Sequence, residues 1–149
     1  MTEVFVGAIM LPGGTRLRGR GRREPLPAGL VPDFGLYLGR LPSARRRYTP
    51  AWQADWIDWP DFGVPRDDQL AAAAVSHAYQ RARSGQLVEV GCGAGIGRTG
   101  TVIACMAILD GHPSDDAVAW TRRHYRPRAV ETPGQRRWVG WFATQRPGR

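Results

Sequence analysis

The chain has 149 residues, of which 42% are hydrophobic and 23% are charged, a composition typical of a single globular domain. No apolar run approaches the roughly 20 residues of a membrane-spanning helix, and Glu3 precedes the first apolar stretch, unlike a signal peptide. We therefore expect a cytoplasmic protein with no membrane contact. The net charge is +8 and all 21 basic residues are arginines. An anionic partner would explain this composition, and a GC-rich coding bias would explain it equally well.

The first part of the chain predicts three short strands joined by loops. The expected strands cover residues 4–10, 34–38 and 55–59. A Gly-, Pro- and Arg-rich loop over 12–32 has room for a short strand, and a basic connection covers 42–50. A turn-rich segment over 59–65 closes this part.

The second part predicts a strand surrounded by helices. An Ala-rich helix over 67–84 begins at Asp67 and ends at Gly85. The later elements are a strand over 87–90, a Gly-rich loop over 91–98, and helices over 99–110, 114–125 and 132–145. This order predicts one α/β domain over 1–149, with a mixed central sheet flanked by helices and a few frayed residues at the end.

The two cysteines, Cys92 and Cys105, form no CxxC pair, so neither a zinc site nor a thioredoxin-like motif is expected. Cys105 lies roughly 10 Å into the predicted helix at 1.5 Å per residue, too far for a disulfide with Cys92. We expect no metal and no cofactor.

The segment over 87–100, LVEVGCGAGIGRTG, predicts a strand, a loop of small residues and a helix. Four glycines in the loop let backbone N–H groups turn inward at a helix N-terminus, an arrangement that binds a tetrahedral anion. Cys92 lies at the end of the strand, and Arg98 lies where the loop closes. Amides and a guanidinium favour a thiolate near neutral pH, and a thiolate beneath a bound phosphate is a nucleophile in position.

Two other phosphate-binding motifs contain similar glycines. Gly95, Gly97 and Gly100 fit the dinucleotide fingerprint GxGxxG, but that fold needs a second parallel strand where the residues after Gly111 predict a helix. The Walker A pattern fails because Cys92 replaces its first glycine and an arginine replaces its lysine. A tight turn with a structural cysteine leaves the Cys–Arg spacing unexplained.

Three segments of the chain resemble motifs of the protein tyrosine phosphatases. GCGAGIGRTG over 91–100 differs from that family's common HCSAGIGRTG only at Gly91 and Gly93. WPDFGVP over 59–65 resembles its mobile WPD loop, and VETPGQ over 130–135 resembles its glutamine loop. The chain is similar to a compact, single-domain member of bacterial type. The resemblance implies that family's α/β fold and hydrolysis of phosphomonoesters.

The resemblance also implies a role for each matching residue. Cys92 would attack phosphorus and form a cysteinyl-phosphate, while Arg98 would hold two phosphoryl oxygens. Asp61 would protonate the leaving oxygen and then act as base for the attacking water. Phosphate, or sulfate or vanadate in its place, is expected on the phosphate loop, whose N–H groups belong to Gly93, Ala94, Gly95, Ile96, Gly97 and Arg98.

Two further residues have implied roles. Thr99 would hydrogen-bond the sulfur and ease its departure. Gln135 would help place the water, although it also completes a predicted capping box with Thr132, with Pro133 at the first helical position.

Two departures from the family pattern lie close to the expected site. Gly91 stands where the family has a histidine that braces the loop. Glu131 stands where many members have a glutamine, and its charge would oppose a phosphorylated intermediate, so its side chain is expected to point away. These departures keep a phosphoryl-binding pseudophosphatase as an alternative to an active enzyme.

The expected substrate is protein phosphotyrosine, because the GIGRTG ending resembles the tyrosine-specific branch. Gly93 and Ile96 stand where some lipid-directed relatives carry lysine, which argues against an inositol headgroup. A dual-specificity phosphatase and a phosphatase of small esters or RNA 5′ ends, all with the same mechanism, remain alternatives. Arg47–Tyr48 is a faint candidate for the wall of a substrate pocket. We expect a monomer whose partner is a phosphorylated protein or other phosphomonoester, and no nucleic-acid partner.

Overall fold

A computed structural model describes residues 4–145, which form an α/β fold around a five-stranded mixed sheet. The strands are β1 (Ala8–Met10), β2 (Arg16–Gly21), β3 (Phe34–Gly39), β4 (Gln53–Asp58) and β5 (Val88–Cys92). They lie in the order β1-β2-β5-β3-β4, with β1 antiparallel to β2 and every other pair parallel. The predicted fold class is confirmed. The frayed end was predicted for residues that include 146–149, which lie outside the described residues.

The helices are α1 (Ser43–Arg47), α2 (Asp68–Arg83), α3 (Gly97–Leu109), α4 (Ala117–His124) and α5 (Pro133–Thr144). Side-chain caps explain where two of them begin, because Asp67 accepts from the Leu70 N–H at α2 and Thr132 accepts from the Gln135 N–H at α5. None of the helices within 4–145 is long and apolar enough to cross a membrane.

Several predicted boundaries were wrong. The strand predicted over 4–10 covers only Ala8–Met10, because Gly7 turns the chain at a φ of 85°. The basic connection over 42–50 contains the short helix α1, and the helix predicted from Ser114 begins with a separate 3-10 turn, Ser114–Asp116.

The largest difference is β2, a six-residue strand inside the segment interpreted as a loop. Its sequence, RLRGRG, does not show the usual pattern of a buried strand, because the side chains that it buries on one face are arginines. Its two glycines also weaken the pattern, although a packing reason requires each of them. A Cβ at Gly19 would overlap the ring of Tyr125, and a Cβ at Gly21 would overlap the backbone of Ala94.

The two faces of the sheet differ in character. One face carries apolar side chains of β3 and β5, such as Leu36 and Val90, which belong to the same core as Ile103 and Met106 of α3. The other face carries a buried polar group, in which Arg18, Arg20 and Tyr37 all contact Glu89. Side chains alternate between the faces of a strand, so the apolar core and the polar group share the same strands.

A second buried acid connects the end of α3 to the β1–β2 turn. Asp110 accepts hydrogen bonds from the Thr15 and Tyr79 hydroxyls, both at 2.6 Å, and from the Gly13 N–H at 2.6 Å. Burial alone would raise the pKa of Asp110, but these bonds outweigh it and lower the pKa below its ordinary value. The carboxylate is therefore a charged anchor for the edge of the sheet.

Candidate active site

The phosphate loop connects β5 to α3. Cys92 is the last residue of β5, and α3 begins at Gly97, two residues before the predicted start at Thr99. The Cys92 sulfur accepts hydrogen bonds from the Gly95 N–H at 3.2 Å and from the Thr99 hydroxyl at 3.0 Å. Two donors therefore hold the sulfur in place beneath the loop.

Arg98 lies in the first turn of α3 and links the phosphate loop to the WPD loop. Its side chain is only 6% exposed, and Nη1 donates to the Trp59 carbonyl at 2.9 Å. Nη2 lies 3.3 Å from Oδ1 of Asp61. Its buried Nε has no hydrogen-bond partner within the described part of the chain. A buried donor of this kind near Cys92 suits an oxyanion.

The WPD loop is held over Arg98 by internal contacts. The Trp59 indole donates to the Gly63 carbonyl at 2.7 Å, and its ring lies 5.3 Å from that of Trp138. Asp61 is half-exposed at the tip, and Phe62 beside it has a φ of 59° and is 62% exposed. The acid therefore lies at the surface on a backbone fixed from beneath.

Gln135 joins the glutamine loop to the WPD loop. Its side chain is fully buried, donates to the Gly63 carbonyl at 3.1 Å and accepts from the Glu131 N–H at 2.8 Å. The predicted capping box is therefore only half present. The Thr132 hydroxyl caps α5, but Gln135 bonds the N–H one residue before the cap.

The Glu131 side chain packs against the phosphate loop at Gly97. A Cβ at position 97 would overlap its carboxylate, so that group lies against the Cα of Gly97. The backbone turns here at Val130, which has a φ of 62°, and Gly97 leaves room for the carboxylate. The loop thus has a negative charge at its helical end.

The strand β2 supports the phosphate loop from below. Gly95 has a φ of 75°, and a Cβ there would lie 2.8 Å from the Arg20 carbonyl carbon. A Cβ at Gly21 would lie 2.6 Å from the Ala94 carbonyl carbon. The Tyr125 hydroxyl donates to the Gly95 carbonyl, and burial raises the pKa of Tyr125, which keeps that donor protonated. The sequence allowed a short strand within 12–32 without giving its bounds, and it did not indicate Tyr125.

The space beside Gly91 is occupied by Tyr37. A Cβ at position 91 would lie 2.8 Å from the Arg20 carbonyl oxygen and 3.1 Å from the Tyr37 ring. The family's bracing histidine therefore has no room here. Tyr37 was not predicted to lie near the site. The one signal for it in the sequence is an aromatic residue with a glycine two positions away on each side, in FGLYLG.

Tyr37 belongs to the polar group that centres on Glu89, three residues before the nucleophile. Glu89 accepts from the Tyr37 hydroxyl at 2.9 Å, from Arg18 Nε at 2.9 Å and from Arg20 Nε at 2.8 Å. Burial alone would raise the pKa of Glu89, but Arg20 and Arg18 outweigh it and lower the pKa. The Arg20 guanidinium also donates to the Tyr48 hydroxyl. Tyr48, a candidate for the wall of a substrate pocket, therefore belongs to the same hydrogen-bonded group.

The five catalytic candidates named from the sequence thus meet at one edge of the sheet: Cys92, Arg98, Asp61, Thr99 and Gln135. No cluster of three or more His, Cys, Asp or Glu side chains within 4–145 could hold a metal ion.

A family model for the protein-tyrosine phosphatase domain matches residues 40–139. This chain belongs to the protein-tyrosine phosphatase family. It is 37% identical over 98 residues to human tyrosine-protein phosphatase non-receptor type 4, covering 60% of this chain and 10% of that protein. It is also 37% identical over 105 residues to Caenorhabditis elegans tyrosine-protein phosphatase 1, covering 64% and 10%. The chain therefore spans about a tenth of the length of these relatives.

Solved structures of the family share the fold. The active form of Tk-PTP has a TM-score of 0.69 at 20% identity, with 95% of this chain and 99% of that chain covered. Kinase associated phosphatase with its catalytic cysteine replaced by serine has a TM-score of 0.69 at 12% identity, with 99% of both chains covered. These comparisons confirm the predicted family and fold, while the bacterial type stays a prediction.

Proposed function

We propose that this protein is a phosphatase that hydrolyses phosphotyrosine in proteins through a cysteinyl-phosphate on Cys92. The observation that carries the proposal is the environment of the sulfur. It accepts two hydrogen bonds within a loop that Arg98 closes with a buried, unpaired Nε, in the part of the chain that the structure describes. A nucleophile and an oxyanion donor in one loop suit phosphoryl transfer.

In the first step, the Cys92 sulfur forms a bond to phosphorus as the bond to the leaving oxygen breaks. The guanidinium of Arg98 and the loop N–H groups bind the equatorial oxygens, and Asp61 gives its proton to the leaving oxygen. Asp61 suits this role because it reaches the same guanidinium from a separate loop. The leaving tyrosine departs as a neutral phenol.

In the second step, a water attacks phosphorus, Asp61 takes its proton, and the sulfur leaves as a thiolate. The Thr99 hydroxyl, 3.0 Å from the sulfur, stabilises that thiolate. Gln135 holds Gly63 of the acid loop, and its second amide hydrogen can orient the water. We propose the same roles for these residues that the resemblance implied.

Phosphotyrosine is the proposed substrate for two reasons. The curated relatives in the comparison are named as tyrosine-protein phosphatases. The exposed ring of Phe62, next to Asp61, offers an apolar side to a substrate ring at the mouth of the site. A cytoplasmic, monomeric protein stays a prediction, which cell fractionation and light scattering can test.

The test is hydrolysis of three peptides of identical sequence that carry phosphotyrosine, phosphoserine or phosphothreonine. We expect the phosphotyrosine peptide to be hydrolysed with the highest kcat/KM. The matched control is Cys92→Ser, which should bind the phosphotyrosine peptide and release no phosphate. Equal rates on all three peptides would contradict tyrosine selectivity. Binding by the wild type without turnover would identify a pseudophosphatase.

A further inference from the structure

Two consecutive arginines lie beside the nucleophile and take no part in the mechanism above. The Arg22 N–H donates to the Cys92 carbonyl at 2.7 Å, and the Arg23 N–H donates to the Gly93 carbonyl at 3.3 Å. The pairing of β2 with β5 therefore continues past Gly21 into the phosphate loop. Each arginine has a backbone position fixed relative to the site.

Arg22 is half-buried at the carboxyl edge of the sheet. Its Nη1 donates to the Leu38 carbonyl at 2.7 Å, and its guanidinium lies 5.4 Å from the centre of the Trp56 ring. Burial lowers the pKa of Arg22, the Cys92 side chain opposes this, and the charges of Arg98 and Arg23 add to the lowering. The guanidinium is therefore a fixed positive charge that an anion would stabilise.

Arg23 is exposed at the rim of the phosphate loop. A Cβ at Gly93 would lie 3.2 Å from Nη2 of Arg23, so the guanidinium lies against the loop residue that follows the nucleophile. Within residues 4–145, neither this guanidinium nor that of Arg22 forms an ion pair.

The acidic residues near these arginines are engaged elsewhere. Glu24, the next residue along the chain, lies 3.4 Å from Arg126 and accepts from the Gly21 N–H. Asp61 contacts Arg98, and Glu131 lies at the other end of the loop against Gly97. The phosphate loop therefore has two positive charges near Cys92 and Gly93, those of Arg22 and Arg23, in addition to the charge of Arg98 that a bound phosphoryl group would contact.

We propose that Arg22 and Arg23 form a second anion-binding subsite, which recognises a carboxylate or a second phosphate on a residue next to the phosphotyrosine of a substrate peptide. This inference rests on the proposed phosphatase function and narrows its substrates to acidic phosphopeptides. Arginine suits the subsite because its planar fork binds both carboxylate and phosphate.

A peptide fits the position of the charges better than a compact inositol phosphate does. The loop itself carries no cation between Cys92 and Arg98, so it offers no charged side chain to the further phosphates of a compact ring. Arg23 instead lies exposed at the rim of the loop, against Gly93, where a residue next to the phosphotyrosine of a bound peptide can reach it.

The experiment measures kcat/KM for two phosphotyrosine peptides, one with Glu on both sides of the phosphotyrosine and one with Gln. Glu and Gln have the same shape, so the ratio of the two constants reports charge recognition alone. We expect the wild type to prefer the acidic peptide about fivefold at low salt and less at 0.5 M NaCl. In Arg23→Gln the ratio should fall close to one.

The matched control is Arg16→Gln, which removes an exposed arginine at the opposite end of the same strand. It should keep the wild-type ratio. An equal fall in both variants would indicate net charge and overturn the subsite. Arg22→Lys keeps the charge but loses the fork, so a partial fall is expected, and thermal melting checks that each variant folds.

Three further outcomes separate the failures. An unchanged ratio in both Arg23→Gln and Arg22→Lys overturns the subsite while the phosphatase proposal stands. A preference that depends on Arg23 for soluble inositol phosphates, without one for acidic peptides, overturns the assignment to peptides. A wild type that hydrolyses neither peptide nor an aryl phosphate overturns the proposed function itself.

Discussion

Two regions of this chain contribute different parts of one site. Residues 40–139, which match the family model, contain Cys92, Arg98 and Asp61, the groups proposed to react with substrate. Residues 4–39 contain the surfaces on which the phosphate loop rests, among them Gly21 beneath Ala94 and Tyr37 beside Gly91. The reacting groups therefore all lie in the matched region, whereas much of the support comes from the residues that precede it.

The largest expected effect lies in the matched region. Asp61→Asn removes the proton donor from the WPD loop and should lower kcat on a phosphotyrosine peptide about a thousandfold. The loss should be much smaller on an aryl phosphate with an acidic leaving group, because that oxygen departs without a proton. Steady-state kinetics on both substrates measure the difference. Equal losses would show that Asp61 does not act as the acid.

The next effect lies where the support meets the matched region. Glu89→Gln removes the one carboxylate that Arg18, Arg20 and Tyr37 of the support share, and it should lower the free energy of unfolding by about 3 kcal/mol or more. Urea denaturation measures the loss. The control is Asp116→Asn, which breaks an exposed ion pair and should change stability far less. Similar losses in the two variants would contradict the importance of the buried group.

A single methyl group added beneath the phosphate loop should lower the rate of hydrolysis. Gly21→Ala places a Cβ 2.6 Å from the Ala94 carbonyl carbon, which forces the loop to shift and should lower kcat/KM about a hundredfold. Gly140→Ala is the control, since a Cβ in that part of α5 meets nothing within 4 Å. The control should keep full activity and gain slightly in stability. Full activity in Gly21→Ala would mean that the loop does not depend on β2.

Restoring the family's histidine should harm this protein. Gly91→His crowds Tyr37 and the Arg20 carbonyl, and it should cost about 1–3 kcal/mol of stability. If Tyr37 occupies the place of that side chain, the double variant Gly91→His with Tyr37→Ala should be more stable than the sum of the single losses predicts. Strictly additive losses in thermal unfolding would mean that Tyr37 does not occupy the place of the histidine side chain.

The smallest expected effect lies far from the site, at the carboxylate that anchors the β1–β2 turn. Asp110→Asn should cost about 1–2 kcal/mol at pH 7, because an amide accepts these hydrogen bonds less strongly. The pKa of Asp110 is lowered in the folded protein from an ordinary value of 3.8. Its contribution is therefore present above about pH 4 and is lost as the pH falls through the folded value. Urea titrations of both proteins at decreasing pH should show the difference between them shrink only below about pH 4.

The matched region was largely predictable from sequence because its constraints are local. Backbone N–H groups that bind a tetrahedral anion need small residues at fixed spacing, so the loop from Cys92 to Arg98 can be found without knowing its neighbours. The bounds predicted for β5, α2 and α5 also lie within a few residues of those observed. For the two helices the reason is local, because Asp67 and Thr132 are side-chain caps at their first turns.

The support was not predictable, because its constraints are between distant residues. Arg18 and Arg20 look like an exposed basic stretch until Glu89, about seventy residues later, is known to lie beside them. The two glycines of β2 look like loop residues until Tyr125 and Ala94 are placed over them. The contact of Glu131 with Gly97 likewise joins residues more than thirty positions apart, and charge alone did not predict it.

Trp59 has a consequence for how motion at this site can be observed. Its indole donates to the carbonyl of Gly63 and its ring packs against Trp138, so it lies at the joint between the WPD loop and α5. Any swing of Asp61 away from Arg98 must alter the surroundings of this fully buried ring. The intrinsic fluorescence of the protein should therefore change with any such swing, which would allow stopped-flow measurement without an attached dye.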